Sequence, residues 1–360
     1  MMKIGITPGD INGVGYELIL RTFETEEMAS MIIPVIYGSP KTATYHRKAL
    51  GNQASFQVIE SAEQAKLGTV SMINCFGEDE QKIEFGQATE EAGQAALIAL
   101  NRALEDLQEG KIDALVTCPL NNKTIKLENG EPFLGQSHYI EQTVGEGKKG
   151  LKILISPTLR IALATDKIPV SEIAPAITKE NIAEKLVILH NTLKRDFFID
   201  NPRIAVLALN PYTDGKEEQE IIAPVVEELF KRGVRCMGPY AAEEFFGTNN
   251  HERFDATLAM YYDQGVSAFK ALSLNEGSYY TAGLPYIRTA PAMGVCYNMA
   301  GKDMVDEDSF RQAIYTATDI IHCRTNFDRE RVNPLKKQYF EKRDDSDKLK
   351  LDQVSEEEED

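Results

Sequence analysis

The chain has 360 residues, of which 42% are hydrophobic and 26% are charged. These proportions are ordinary for a soluble globular protein with one large or two medium domains. The net charge of −17 argues against nucleic acid or an anionic membrane as a partner. No apolar run reaches the ~18 residues of a membrane span, and the N-terminus lacks a signal-peptide pattern, so we expect a cytoplasmic protein.

Strand-like apolar segments alternate with helical segments along the chain. A strand-like pattern starts at the N-terminus, and seven further runs are rich in Ile, Val, Leu and Ala: 31–37, 70–74, 113–117, 151–155, 160–164, 203–208 and 256–261. Helices are predicted over 89–107, with Thr89 as N-cap, and over 178–194, 219–232 and 308–322. This alternation predicts an α/β protein with a largely parallel sheet that is covered on both faces.

The five cysteines are an odd number and include no Cys-x-x-Cys pair, which argues against a disulfide framework. Cys118 follows a predicted strand and has no basic group near it in the sequence. A buried, small hydrophobic residue is therefore favoured over a nucleophile at this position.

A glycine-containing loop follows the first strand, over residues 7–15. Its glycines would let the backbone approach a ligand closely, and the start of the following helix could attract an anion. The loop lacks the Gly-x-Gly-x-x-Gly spacing of a dinucleotide fingerprint. Two interpretations stay open, namely a tight strand-to-helix turn or a cofactor-binding loop formed by Gly9, Asp10, Gly13 and Gly15.

Several motifs together resemble those of the 4-hydroxythreonine-4-phosphate dehydrogenase family, from the N-terminal loop to about residue 333. Three motifs of the family are Leu-Asn-Pro-His, Met-Tyr-His-Asp-Gln-Gly and Ala-Leu-Ala-Thr-x-His-x-Pro. In this chain the three histidines are replaced by Tyr212, Tyr262 and Lys167. The resemblance implies NAD-dependent oxidation of 4-phosphohydroxy-L-threonine, followed by loss of carbon dioxide, in the synthesis of vitamin B6.

The resemblance also implies an architecture. It is a two-subdomain α/β fold with a mostly parallel or mixed sheet, as in the isocitrate and isopropylmalate dehydrogenases. The first subdomain would comprise residues 1–135 and 290–335, and the second residues 136–289. The family site lies in the cleft between subdomains, near a homodimer interface. The acidic segment 336–360 is predicted to be disordered.

Positions that match substrate-binding and catalytic residues of the family can be assigned by the same resemblance. The family's Gly-His-Thr-Glu corresponds here to Gly-Gln-Ser-His, and its substrate-binding asparagine to a tyrosine. Two fixed cations would suit a phosphate dianion, so a phosphorylated metabolite is the expected ligand. The substrate-binding candidates are Gln136, Ser137, Lys270, Tyr279 and Arg288, and Asp263 and Glu243 are further catalytic candidates.

In the family, three histidines hold a divalent metal that stabilises the developing alkoxide. A phenol is mostly protonated at pH 7, and an ammonium carries the same sign as the metal. We therefore expect no divalent metal at Lys167, Tyr212 and Tyr262. The Lys167 ammonium could instead hold an anionic oxygen beside the two phenols.

Three functions stay open on this sequence. The first is a metal-free, NAD-dependent oxidoreductase in which Lys167, Tyr212 and Tyr262 are catalytic. The second is a non-catalytic protein that binds a phosphorylated metabolite. The third is a paralogue that pairs with an active homologue.

Overall fold

The structure, a computed structural model, describes residues 1–77, 81–274 and 276–332; the predicted acidic segment 336–360 lies outside these residues. A single mixed sheet of twelve strands runs through the described part of the chain. The strands are β1 Lys3–Thr7, β2 Ile33–Gly38, β3 Gln57–Ile59, β4 Ser71–Asn74, β5 Ala114–Thr117, β6 Leu151–Ile155, β7 Arg160–Leu163, β8 Ile204–Leu207, β9 Cys236–Tyr240, β10 Ala256–Ala259, β11 Ser278–Ala282 and β12 Arg288–Pro291.

Eleven α-helices connect and cover these strands in the same described residues. They are α1 Gly15–Thr22, α2 Glu26–Met31, α3 Pro40–Leu50, α4 Glu90–Gln108, α5 Gln136–Val144, α6 Val170–Ala176, α7 Lys179–Arg195, α8 Ala223–Lys231, α9 Ala242–Gly247, α10 Tyr262–Ser273 and α11 Asp308–Val332. A π-helical turn, Glu218–Ile222, leads directly into α8.

The strand order is β3-β4-β2-β1-β5-β12-β11-β6-β7-β10-β8-β9. β1 to β5 lie together with β12, all parallel. β6 to β11 form the other half, in which β7, β10, β8 and β9 are parallel to one another. β11 is antiparallel to β12 and to β6, and β6 is antiparallel to β7. The sheet is therefore mixed at its centre and parallel on both sides, while the predicted subdomain boundaries stay a prediction.

The sheet is buried on both faces, as its apolar strands predict. Along β5, Ala114 and Val116 pack into one hydrophobic core and Leu115 into another. Along β6, Ile153 belongs to the first of these cores and Leu154 to a third. Because successive side chains of a strand point to opposite faces, helices must cover both sides. Among the described residues, no helix combines the length and the apolar character that crossing a membrane requires.

All seven predicted internal strands are confirmed to within three residues at either end. Thr89 caps α4 by accepting a hydrogen bond from the Ala92 backbone at 3.2 Å. The helix predicted over 219–232 begins as the π-helical turn, and the helix predicted over 308–322 continues to Val332. Cys118 is completely buried, as predicted.

His46 on α3 gives a testable pH dependence of stability. It is fully buried, and its Nε2 lies 2.9 Å from the carbonyl oxygen of Ile11. Burial lowers the pKa of His46 to about 4, against the opposing effect of that hydrogen bond. In the unfolded chain, His46 takes up a proton near pH 6.5, the ordinary pKa of histidine, whereas in the folded chain it does not. Acid therefore favours unfolding between these two pKa values.

We expect the free energy of unfolding to fall by about 2 kcal/mol more in the wild type than in His46→Gln when the pH drops from about 7 to about 5. Urea denaturation at both pH values measures the difference. His138→Gln, on α5, should behave as the wild type. Equal losses in the wild type and His46→Gln would contradict this role of His46.

Candidate functional site

At the centre of the sheet, neighbouring strands run in opposite directions, so the end of one strand lies beside the start of the next. Because β11 is antiparallel to both neighbours, its end lies beside the first residues of β12 and β6. β6 is also antiparallel to β7, so β7 ends at the same edge. Arg288, Lys152 and the segments that follow β7 and β10 are thereby brought to one region of the molecule.

Lys167 and Tyr262, two of the three positions matched to family metal ligands, are neighbours. Thr165 donates to the Met260 carbonyl from its backbone nitrogen at 3.2 Å and from its hydroxyl at 2.9 Å, which joins the segments after β7 and β10. The Lys167 Nζ lies 5.1 Å from the centroid of the Tyr262 ring. An ammonium at this distance is attracted by the ring quadrupole.

Tyr212 is the third position matched to a family metal ligand. It lies in the loop after β8 and is 53% exposed. The loop is anchored by the buried Glu218 carboxylate, which accepts hydrogen bonds from the backbone nitrogen of Asn210 at 2.8 Å and from its side-chain amide at 2.9 Å. Within the described part of the chain, Tyr212 makes no hydrogen bond or cation–π contact with Lys167 or Tyr262.

Lys152, which the sequence reasoning missed, lies between two tyrosine rings. Its Nζ is 5.9 Å from the Tyr262 ring centroid and 6.0 Å from that of Tyr279, and it forms an ion pair with Asp166. Burial lowers the pKa of Lys152. The Asp166 carboxylate raises this pKa, and the Arg288 guanidinium lowers it further. A charged residue inside the apolar strand Leu151–Ile155 was the available signal.

Tyr279 lies near Tyr262, and the Lys152 Nζ is almost equally distant from the centroids of the two rings, at 6.0 and 5.9 Å. Burial, and then the neighbouring Tyr262, raises the pKa of Tyr279. Tyr279 lies on β11, in register with Leu154 of β6. The predicted substrate-binding Tyr279 therefore lies near Tyr262, one of the positions matched to family metal ligands.

Arg288 is 5% exposed and makes five hydrogen bonds, all to neutral oxygens. Its guanidinium donates to Thr117 at 2.6 and 3.0 Å, to Gln136 at 2.7 Å, to Ser137 at 3.1 Å and to Thr281 at 3.2 Å. Burial lowers the pKa of Arg288 to about 10, so the group stays cationic at pH 7. Among the described residues, no carboxylate pairs with this buried charge.

Gln136 and Ser137 are the first two residues of α5. The Gln136 amide nitrogen donates to the Cys118 carbonyl at 2.9 Å, which directs the amide oxygen toward Arg288. The positive end of the helix dipole lies at the same place. Gln136, Ser137 and Arg288, predicted separately as substrate-binding residues, thus form one electropositive cluster.

The other predicted residues lie around this region. Lys270, half-buried on α10, donates to the Ala292 carbonyl after β12, and burial lowers the pKa of Lys270. Asp263 is exposed in the first turn of α10, and Glu243 is exposed in the first turn of α9, beyond the edge strand β9. Their catalytic roles stay predictions.

In the N-terminal loop, other protein atoms fill the space that side chains would occupy at the glycine positions. A Cβ atom would lie 2.2 Å from the Pro119 oxygen at Gly9, 2.4 Å from Val295 Cγ1 at Gly13 and 1.7 Å from the Pro8 oxygen at Gly15. The buried Asp10 carboxylate accepts a hydrogen bond from Tyr297 at 2.6 Å. These residues offer no open cradle for a nucleotide, so we derive no step through NAD at this loop. Their cofactor role stays a prediction.

The residues present do not suit a divalent metal. The described residues 1–77, 81–274 and 276–332 contain no group of three or more His, Cys, Asp and Glu side chains that could hold an ion. At two of the positions matched to family metal ligands, an ammonium faces a phenol ring, and the neighbouring Asp166 is already paired with Lys152. No catalytic step through a metal follows from this arrangement.

Two cavities lie elsewhere. One, of about 540 Å³, is bordered by residues of α7 and α8, and the other, of about 440 Å³, lies between the β6–β7 hairpin and α11. Neither contains Arg288, Lys152 or Lys167. The cluster around Arg288 is therefore not part of either cavity.

Comparison with known proteins gives a consistent result. The family described as pyridoxal phosphate biosynthetic protein PdxA matches residues 30–317. The 4-hydroxythreonine-4-phosphate dehydrogenase of Bacteroides thetaiotaomicron is 54% identical over 360 residues, covering 99% of this chain and 98% of that protein. The enzyme of the same name from Sulfurihydrogenibium sp. is 34% identical over 322 residues, which cover 88% of this chain and 98% of that protein.

The fold is also found in a solved structure. A crystal structure of 4-hydroxythreonine-4-phosphate dehydrogenase from Klebsiella pneumoniae superposes with a TM-score of 0.77 at 25% identity. The match covers 89% of this chain and all of that one.

Proposed function

Because the chain belongs to the PdxA family of pyridoxal phosphate biosynthetic proteins, we propose that it binds a phosphorylated hydroxy acid at Arg288 without a divalent metal. The names of its relatives specify 4-hydroxythreonine-4-phosphate, which is a phosphate ester of this kind. In this proposal the metal-dependent dehydrogenase reaction of the family is lost and ligand binding is retained.

The observation that carries the proposal is the buried, cationic Arg288, which has no carboxylate partner within residues 1–77, 81–274 and 276–332. A buried charge is costly unless it is paired, and all five of its bonds go to neutral oxygens. A phosphate group would supply the missing negative charge. Because all five N–H donors of the guanidinium are already engaged, phosphate oxygens would replace some of these neutral acceptors. The hydroxyls of Ser137, Thr117 and Thr281 can turn their hydrogens toward such an anion.

The proposed loss of metal dependence rests on the side chains at the three positions matched to family metal ligands. Lys167 and Tyr262 present an ammonium and an aromatic ring where the family is expected to hold its ion, and Tyr212 adds a phenol that is 53% exposed. We therefore assign binding, and not metal-assisted oxidation, to this chain. A homodimer and a cytoplasmic location are further proposals, which rest on the family.

A second candidate function is a metal-free oxidoreductase with NAD as cofactor. It is favoured by the contact between Lys167 and Tyr262, because a fixed ammonium can stabilise an anionic oxygen during reaction. Turnover of NAD with a phosphorylated hydroxy acid in excess chelator, abolished by Lys167→Met, would establish it. No turnover across a panel of such acids would reject it.

Isothermal titration calorimetry with 4-phosphohydroxy-L-threonine in the presence of EDTA tests the binding proposal. We expect the wild type to bind and Arg288→Ala to bind about 10- to 100-fold more weakly, because charge-assisted hydrogen bonds to the phosphate are lost. Arg288→Lys should keep part of the affinity, since it keeps the charge. A matched control is Arg232→Ala, whose side chain is 70% exposed and pairs with Glu228.

Thermal unfolding of each variant separates loss of binding from loss of folding. Absence of binding by the folded wild type, or binding that appears only when a divalent metal is added, would overturn the proposal. Equal affinity of the wild type and folded Arg288→Ala would show that the phosphate binds elsewhere.

A further inference from the structure

Lys152 occupies a position where the strand pattern calls for an apolar side chain. On β6, Ile153 packs into one core, and Leu154, two residues from Lys152 and on the same face, packs into another. The Lys152 side chain is only 18% exposed. Burying an ammonium in a sheet is unfavourable unless an anionic partner is available, so its presence requires a reason.

Asp166 is an incomplete partner for this ammonium. Its side chain is 49% exposed, and it lies in the segment that follows β7. A lysine ammonium has three donors, and the ion pair with Asp166 uses one. The remaining donors lie beside the rings of Tyr262 and Tyr279, at 5.9 and 6.0 Å from their centroids.

The region carries an excess of positive charge within an acidic protein. Lys152 is influenced electrostatically by both Arg288 and Lys167, whereas Asp166 is the carboxylate paired with it. Three cations and one carboxylate leave two positive charges in a chain whose net charge is −17. A ligand with more than one anionic group would balance this excess.

The spacing of Lys152 and Arg288 fits such a ligand. Lys152 lies directly opposite Thr281 in the pairing of β6 with β11, and the Thr281 hydroxyl accepts a hydrogen bond from Arg288 at 3.2 Å. The three residues therefore lie in line on one face of three consecutive strands. With ~4.8 Å between strands, the two cationic residues have their Cα atoms about 10 Å apart, within reach of a four-carbon ester bound at both ends.

We infer that Lys152, assisted by Lys167, binds the carboxylate of the phosphorylated hydroxy acid whose phosphate lies at Arg288. Lys152 is then a specificity-determining residue: it selects phosphorylated acids over phosphorylated alcohols. This inference rests on the proposed function and extends it to the class of ligand. The ion pair with Asp166 holds the ammonium in place before the ligand carboxylate arrives.

Two ligands that differ at one end test the inference. In 4-phosphoerythronate the terminal group is a carboxylate, and in erythritol 4-phosphate it is a hydroxymethyl group. We expect calorimetry to show that the wild type binds the acid about tenfold more tightly than the alcohol, because of the charge-assisted contacts with Lys152. Lys152→Met should weaken binding of the acid about tenfold more than binding of the alcohol, which abolishes the preference, and Lys152→Arg should restore part of the preference.

Lys185→Met is the matched control, because Lys185 also lies beside β6 and donates to the Gly150 carbonyl at 3.0 Å. It should keep the preference for the acid. Equal binding of both esters by the wild type would overturn the inference while leaving the proposed function intact, and so would an equal loss for both in folded Lys152→Met. Failure of the wild type to bind either ester would overturn both proposals. Loss of binding of both esters in Arg288→Ala would support the assignment of the phosphate to Arg288.

Discussion

Replacing Asp196 with alanine is expected to lower the free energy of unfolding by about 3–5 kcal/mol, the usual cost of breaking a buried ion pair from one side. Asp196 and Arg324 are 3% and 9% exposed. The Arg324 guanidinium donates to the two carboxylate oxygens at 2.7 and 3.2 Å, and Tyr280 donates to the same carboxylate at 2.5 Å. Removing the carboxylate leaves a buried cation without its counter-charge and a buried phenol without its acceptor.

Urea denaturation of the wild type and Asp196→Ala measures this effect. Asp328→Ala is the matched control, because Asp328 forms an ion pair with Arg195 but is 55% exposed; we expect it to change stability by less than about 1 kcal/mol. Adding Arg324→Leu to Asp196→Ala should recover part of the loss, since the unpaired charge is then removed. A loss of less than about 1 kcal/mol in Asp196→Ala would contradict the argument.

The same ion pair connects helix packing to the candidate site. Asp196 follows α7, Arg324 lies on α11, and Tyr280 lies on β11. Tyr279 and Thr281, on either side of Tyr280, point to the opposite face of the strand. There Thr281 accepts a hydrogen bond from Arg288, and the Tyr279 ring lies near Lys152. Because the network fixes the strand that carries these side chains, partial unfolding of this region should disturb ligand binding as well.

Much of the architecture can be predicted from the sequence because burial on both faces leaves a strong local signal. The run Leu151–Ile155 is a clear strand, and Thr89 and Thr178 are recognisable helix caps. β11 and β12 were not predicted. Ser278–Ala282 has polar and aromatic residues, and Arg288–Pro291 begins with a cation and ends with a proline. Their strand conformation depends on pairing with β5 and β6, which are distant in sequence.

The candidate site was predictable only where motifs resemble those of the family. Arg288, Gln136 and Ser137 could be identified in that way, and the structure brings them within hydrogen-bonding distance. Lys152 lies in no motif, and its only sequence signal is a charge inside an apolar strand. Its proximity to Arg288 follows from the register of three strands, which the sequence does not show. The proximity of Tyr262 and Tyr279 likewise depends on the direction of β11, which is antiparallel to both of its neighbouring strands.

Introducing histidines together at positions 167, 212 and 262 is expected to create affinity for Zn²⁺ that the wild type lacks. Three imidazoles are a common ligand set for zinc, whereas a wild-type ammonium and two phenols repel or fail to coordinate a dication at pH 7. The contact between Lys167 and Tyr262, with Nζ 5.1 Å from the ring centroid, places two of the new imidazoles side by side. Position 212 is 53% exposed in the loop after β8, and β8 is the parallel neighbour of β10, so the third imidazole is added at the same edge of the sheet.

Competition with a chromophoric chelator measures the change, and we expect zinc affinity to rise by on the order of 100-fold or more in the variant that combines Lys167→His, Tyr212→His and Tyr262→His. The matched control carries glutamine at the same three positions, which removes the wild-type side chains without adding imidazoles, and it should bind no more zinc than the wild type. Tight, stoichiometric zinc in the wild type, lost in the glutamine control, would mean that these positions still hold a metal. If zinc affinity does not rise in the folded histidine variant, the three positions do not converge on one ion.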